Sequence, residues 1–446
     1  RELMDDDTFN IERQYEPAPG RWRAGDSMDG DNRKIRVHLW HDTVSRWFNR
    51  IVAGGTDTMG TVHIVGDELV ALAAALRLAQ MRHKVTIISS SPRWLESAER
   101  PLAPELGATL QIPSAWRDLF AKSGRAMEAE LVGIGLNLVT EPDTQISSSM
   151  ADISLPTDRG AQIHTVRDRY GHRIAHKWRD VLDHADTIWQ ARRQYGVEHA
   201  VTSRPEPLPE PLHVDLPSPL AELSADETRL AITRIFGCWN LVGRDGPTDL
   251  QPLLTLLNKR LTRRGVIVDP SPNDSPNAII DTTAPAPRRS RWHRPARPWS
   301  SPIITVSTSG EMPSNHGMAH RLDWKAEGLV ETWSWWDGAQ ARRICHDYTR
   351  PIPNPELGTA WSAWRDRPPM VWRQEGPIPV LAASPASHGG PEPWARLLTG
   401  ALAAYLTHER LTGEDIRPSN KAIGAAGRPR RSHSSTDRVS TRRLDR

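Results

Sequence analysis

Cysteine is almost absent: Cys238 and Cys345 are the only two in 446 residues. Their separation excludes a disulfide framework and a cysteine metal site of ordinary spacing. A reduced, cytoplasmic protein is the expectation that follows. No apolar run reaches the roughly 18–20 residues needed to cross a bilayer, and the polar start at Arg1-Glu2-Leu3 does not read as a signal peptide. An excess of one charge is missing too, with 57 Lys and Arg against 54 Asp and Glu and a net charge of +3. Even with a pI near 9.0, that balance gives no reason to expect a nucleic-acid partner. No HExxH pattern occurs. His316 and His320 stand four apart around Gly317, so no metal is expected there. Asp152 and Asp158 bracket Leu155-Pro156 as a surface turn would, not as a catalytic acid pair.

Tryptophan and proline are abundant instead, at 18 and 37 residues, within a chain that is 38% hydrophobic. The length exceeds one ordinary core, so two interleaved domains with tails are expected. Residues 1–58 read as a disordered or artefactual extension, with a short helix at 42–51 as its one structured candidate. Residues 59–150 read as the N-terminal part of a dinucleotide-binding domain, and 151–250 as a mainly helical cap. The chain returns to the first domain at 251–285, leaves it for substrate-domain strands at 286–375, and returns again at 376–420. A basic tail, 421–446, is expected to be disordered.

The sharpest local signal is a βαβ unit. Val62-His63-Ile64-Val65 reads as a buried strand, Glu68 to Arg82 as a helix, and Lys84 to Ile88 as a parallel strand beside the first. Further helices are expected at 115–124, 163–195 with a break near Gly171, 228–241, 250–264 and 394–411. Strands are expected at 266–268, 278–281 and 303–306, with a hairpin from 328–336 and 341–348. In that hairpin Trp333 and Trp335 share a face and Trp336 opposes them.

A dinucleotide fold places Gly-x-Gly-x-x-Gly between its first strand and helix, for a tight turn and close approach to the pyrophosphate. Here the run is Gly66-Asp67-Glu68-Leu69-Val70-Ala71. The first glycine stands, Ala71 is a tolerated third, and Glu68 fills the second place with a carboxylate. Like charges about 4 Å apart cost roughly 4 kcal/mol at an effective dielectric of 20. The second strand ends in Ser89-Ser90-Ser91-Pro92-Arg93 where an acid for the ribose would stand. That ending reads either as a polar turn or as a pocket for the 2′-phosphate of NADP, with Ser89 and Arg93 as its residues.

Residues 62–93 resemble the N-terminal unit of phytoene-desaturase-type FAD-dependent oxidoreductases, within the amine-oxidase-like flavoproteins. Gly107 to Pro113 with Trp116 to Arg125, and Leu253 to Val268 with its Arg-Gly-Val ending, are similar to later segments of that family. So is Ala383 to Gly400, a glycine-rich turn running into a helix. The resemblance implies an α/β fold: an FAD/NAD(P)-binding Rossmann-like three-layer domain with an interleaved α+β substrate domain. It further implies FAD contacts at Gly66, Asp67, Glu68, Ala71, His388, Gly389, Gly390 and Trp394. The paired glycines the family carries after the second strand are missing near Arg93, and its adenine-side hairpin is cut short between Asp269 and Asn277.

The activity implied is FAD-dependent oxidation of an extended apolar substrate such as a polyene. The competing reading is a cofactor-free scaffold for a lipid or protein, a use of this broad fold represented by the GDP-dissociation inhibitors. Arg288 to Trp299 mixes basic and aromatic residues and reads as a solvated loop before either a peripheral membrane contact or a nucleic-acid contact. No residue pattern identifies a catalytic base or an oligomeric state.

Overall fold

The computed structural model describes residues 59–140, 143–192, 212–230, 233–234, 237–283, 298–299, 301–309, 318–336, 339–352, 360–361, 370–373, 376–383 and 392–417. Strand β1 (Thr61–Val65) is extended because Val62 and Ile64, both fully buried, point to one face, where branched side chains pack well. Helix α1 (Leu69–Gln80) is built from Leu and Ala almost throughout, residues that lose little freedom in a helix. It ends where Arg82 takes a left-handed φ of +66°. Strand β2 (Lys84–Ile88) then pairs parallel to β1, from Thr61↔Lys84 to Val65↔Ile88. The expected βαβ unit is present, with its two strands side by side.

Four later strands complete this sheet: β9 (Ile267–Val268), β10 (Ala278–Asp281), β17 (Val371–Arg373) and β18 (Val380–Ala382). The order is β17-β18-β10-β1-β2-β9, and every pairing is parallel except β17 with β18. Strands later in sequence lie on both sides of β1, so the order reverses between β1 and β10. That reversal is the switch point at which Rossmann-like sheets take their ligands. The chain is therefore an α/β protein with a Rossmann-like sheet.

A second sheet is interleaved with the first along the chain. It holds β5 (Thr144–Ser147), β6 (Asp152–Leu155), β12 (Ser301–Ser309), β13 (Met318–Lys325), β14 (Gly328–Trp336) and β15 (Ala341–Ile352), in the order β12-β15-β14-β13-β5-β6. The expected hairpin is the β14–β15 pair. Trp333 and Trp335 are buried on one face, while Trp336 on the other is half-buried. A smaller sheet joins β3 (Thr109–Gln111), β4 (Asn137–Thr140), β7 (Cys238–Gly243) and β8 (Gly246–Pro247). Two short strands, β11 (Pro298–Trp299) and β16 (Ala360–Trp361), pair with each other.

Five more helices of two turns or more that matter here are α2 (Pro113–Ser123), α3 (Arg159–Tyr170), α4 (His172–Arg192), α5 (Gln251–Arg263) and α6 (Pro393–Thr412). The break expected near Gly171 separates α3 from α4, with Gly171 at φ +84°. Asp158 caps α3 by accepting from the Ala161 N–H at 2.7 Å, which gives that acid a structural role. The helix expected over 228–241 is corrected in its C-terminal part, while Thr233 and Arg234 remain helical. A short helix at Glu227–Leu230 gives way to β7 from Cys238 onward. Gly237 at φ +69° ends the helical path, and pairing of Trp239 with both Leu110 and Thr140 holds the chain extended. The candidate helix at 42–51 and the basic tail lie outside the described residues. No described helix is long and apolar enough to cross a membrane.

The main core lies where α1 meets α2, α5 and α6 over the parallel sheet. Leu69, Leu72, Leu76 and Leu78 are fully buried there, each worth about 1.5–3 kcal/mol of burial. Helices α1 and α6 approach closely at Gly400, where an added Cβ would lie 2.5 Å from the Val70 carbonyl oxygen and 2.8 Å from Ala73 Cβ. An exposed helical Gly→Ala change gains about 1 kcal/mol. Gly400→Ala is expected to cost about 1–3 kcal/mol instead, because two backbones must separate. Urea denaturation reads this as a lowered midpoint, and an unchanged or raised midpoint would contradict the crossing.

Candidate functional site

Glu68 precedes α1, and its carboxylate sits between two guanidinium groups. One oxygen accepts from Arg93 Nη1 just beyond β2, and the other from Arg396 Nη1 in the first turn of α6, at 2.5 Å. The Arg396 charge, with help from Arg93, holds the Glu68 carboxyl below its usual range against the opposing effect of burial. Arg93 is used on all sides. Its Nε donates to the Arg100 carbonyl at 3.0 Å and its Nη2 to Glu105 at 2.7 Å. Asp67, next in line, is raised by burial and then by the Glu68 charge.

The residues do not fit a dinucleotide diphosphate in the place that the glycine motif assigns to it. The carboxylate of Glu68 already occupies the two nearest cations, and the raised Asp67 reports surroundings that disfavour another anion. Gly66 at φ +132° is a glycine for a local reason: an added Cβ would lie 1.9 Å from Thr282 Oγ1. That hydroxyl, at the end of β10, donates to the Val65 carbonyl at 2.8 Å. The NADP expectation for Arg93 is corrected on the same ground, since a 2′-phosphate would have to displace two carboxylates. The expected electrostatic conflict at Glu68 takes another form, because neutralising arginines come from two distant segments.

The other site expectations divide. Ala71 is fully buried in the core, as close packing of α1 requires, and Trp394 is likewise fully buried. Ser89 is half-buried just past β2. His388, Gly389 and Gly390 lie outside the described residues. Gly66, Asp67, Glu68 and Arg93 are thus gathered at one place, together with Arg396.

Arg396 also borders a cavity of about 110 Å³ between α6, β3 and the inward face of the second sheet. Strand parity fixes that face. On β14, Glu331 and Trp333 alternate with outward residues, and they oppose His346 and Ile344 on β15. Glu331 is completely buried. It pairs with Arg229 Nε at 2.7 Å and His320 Nε2 at 3.2 Å. Burial alone would raise its carboxyl, but the Arg229 charge and the His320 contact outweigh that and hold it low. Arg229 also donates to the Tyr348 hydroxyl, and burial pushes the Tyr348 phenol up. Burial pushes His346 down to about 4, so its imidazole is neutral near pH 7. Among the described residues no group of acids, histidines and cysteines could hold a metal.

Sequence reasoning missed Arg229, Glu331, His346, Tyr348, Gln111 and Arg396. Glu331 carried a signal: it stands in period two with Leu329, Trp333 and Trp335, an acid on an otherwise apolar strand face. His320, set aside as a metal ligand, is a buried partner of that acid.

The fold is of the Rossmann-like α/β class, with the parallel sheet and its switch point described above. Comparison with solved structures returns distant likenesses to flavin-dependent enzymes and an oxidoreductase. A tryptophan 6-halogenase from Streptomyces toxytricini is 12% identical, with 82% of this chain and 76% of that chain covered and a TM-score of 0.40. An oxidoreductase from Methanosarcina mazei is 11% identical, with coverages of 77% and 99% and a TM-score of 0.44. A tryptophan halogenase from Shewanella frigidimarina is 12% identical, with coverages of 83% and 74% and a TM-score of 0.39. No protein-family model and no curated protein sequence matches. Likeness at this level carries no substrate and no residue role to this chain.

Glu68→Gln removes the charge and keeps the shape. At pH 7 the change is expected to cost about 2 kcal/mol, the range for a charge-assisted hydrogen bond. The folded carboxyl titrates below its ordinary value of 4.5. As pH falls the unfolded chain therefore takes up that proton first, so the contribution is whole above that value and is lost as pH drops through the folded one. Denaturation midpoints of wild type and variant should converge as pH falls below 4.5 through the folded carboxyl's titration, and a gap that stays constant on acidification would refute the ion-pair account.

Proposed function

We propose that the protein is a small-molecule-binding protein on a flavoenzyme-type scaffold, taking its ligand in the cavity beside Arg396 without a dinucleotide diphosphate in the usual place. The observation that carries this reading is the Glu68 carboxylate held between Arg93 and Arg396. A cavity of about 110 Å³ with Glu331, Arg229 and His346 around it suits a compact ligand better than an extended polyene.

The second reading is an FAD-dependent oxidoreductase of the phytoene-desaturase class, acting on an extended apolar substrate. What favours it is the cavity's position between the first turn of α6 and the second sheet, where the resemblance puts the flavin ring. FAD would supply the electron or hydride transfer in that case. A peripheral membrane or lipid partner rests on residues 288–299, and 288–297 lie outside the described residues.

Visible absorption of protein purified without added cofactor, then titrated with FAD, separates the two readings. The binding reading expects a colourless protein whose addition leaves the flavin spectrum unchanged. It also expects Glu68→Gly, which frees both arginines for an anion, to bind FAD or inorganic pyrophosphate at least about tenfold more tightly. A bound-flavin spectrum from wild type would overturn it in favour of the oxidoreductase.

A further inference from the structure

Strand β12 is an edge of the second sheet, and its outer side pairs with no described strand. It runs for nine residues, Ser301–Ser309, as SPIITVSTS. Native edges are normally blunted by shortness, charge or proline, because their free N–H and C=O groups invite another strand. The other edges of the two six-stranded sheets follow that rule. β6 has four residues and carries Asp152, β9 has two, and β17 has three with Arg373 among them. β12 carries no charge, and its one proline, Pro302, stands at the start, within the irregular step between Ser301 and Ile303. Everything beyond that step is unguarded, and residues 304–308 are all exposed.

The side chains of this edge are complementary to themselves. Ile304 and Val306 stand opposite His346 and Ile344 of β15, on the inward face, yet they are 40% and 42% exposed. Branched apolar residues on a strand are stabilised by a neighbour across from them. Laid antiparallel against its own copy about Thr305, the strand sets Ile304 opposite Val306 of the second copy, and Val306 opposite Ile304. Residues directly opposite share a face, so these side chains join into one apolar strip. On the other face Thr305 meets Thr305 and Ile303 meets Ser307. No charge is buried anywhere along the pairing.

The charges one strand further in favour the same sense of pairing. On β15, Arg343 stands beside Ser307 and Asp347 beside Ile303. Arg343 is exposed and Asp347 half-buried. Antiparallel pairing continues the row from Arg343 and Ser307 into Ile303 and Asp347 of the second copy, placing opposite charges three strand spacings apart, roughly 14 Å. Parallel pairing would bring the two basic ends together. Salt screens charges at that separation, so they set the direction of pairing, while backbone bonds and the apolar strip set its strength. We propose that β12 docks a second copy of this chain, antiparallel about a twofold axis through Thr305, making one continuous sheet of the two second sheets. Such a contact uses the same patch on both copies and closes on itself, and its main-chain hydrogen bonds give affinity as in other strand additions. The pairing does not depend on what the cavity holds.

Sedimentation equilibrium of the full chain tests this. A dimer with Kd below about 10 μM is expected. Ile304→Glu and Val306→Lys each put a charge opposite an apolar side chain of the second copy, and each should weaken the dimer at least about tenfold. An equal mixture of the two variants should recover it, because the new acid of one copy then lies opposite the new base of the other. Circular dichroism checks the fold of each variant. Should either unfold, Thr305→Lys, which brings like charges together at the axis, replaces the pair and is expected to give a monomer. Wild type that stays monomeric up to about 100 μM overturns the proposal. A dimer that ignores these substitutions overturns it as well, by placing the interface elsewhere. A mixture no more associated than either variant alone rejects the twofold through Thr305.

Discussion

A carboxylate at the end of the first strand of a Rossmann-like sheet persists only if cations come to it. Glu68 obtains two, and they arrive from opposite ends of the fold. Arg93 follows β2, so its place depends on the parallel pairing of β1 with β2. Arg396 lies in the first turn of α6, so its place depends on the α1–α6 crossing that Gly400 makes close. The ion-pair triad therefore ties the N-terminal βαβ unit to the C-terminal helix at the switch point of the sheet. A charged pair that is only partly exposed, 30% for Glu68 and 17% for Arg396, contributes more than a solvated one.

The same contact separates two neighbouring environments. On one side lies the turn where dinucleotide folds receive phosphate, here already supplied with a negative charge of its own. On the other side lies the cavity, whose cations are all engaged by protein acids. Arg396 borders both. The buried Arg229–Glu331–His320 group behind the wall is costly to desolvate and gains from being fully paired. It fixes the strands that present Trp333 and His346.

Much of this fold was legible because its signals are local. Val62 to Ile88 has the periods of strand, helix and strand in succession, and Gly171 breaks a helix wherever it stands at positive φ. The alternation of Trp333, Trp335 and Trp336 announced a strand with one buried face. The residues 228–241 misled because Thr228 to Phe236 is helical in composition, while the extended path of β7 is set by neighbours more than 100 positions earlier, Asn240 opposite Thr109 for one. The site was less legible for the same reason. Glu68 and Arg396 are 328 positions apart, and no periodicity brings them together. Glu68 was visible as a departure from a glycine motif, but its sequence neighbourhood suggested repulsion, whereas the folded chain supplies attraction.

The central claim is that Glu68 and Arg396 interact directly as a charge pair across the α1–α6 junction. A double-mutant cycle of Glu68→Gln and Arg396→Gln, read by denaturation at low salt, measures that interaction apart from the effects of each side chain alone. A coupling energy of at least about 1 kcal/mol, shrinking as pH drops below the carboxyl's titration, is the result predicted. Additive single-variant effects, with coupling near zero at neutral pH, would contradict the account and return Glu68 to the status of an ordinary loop acid.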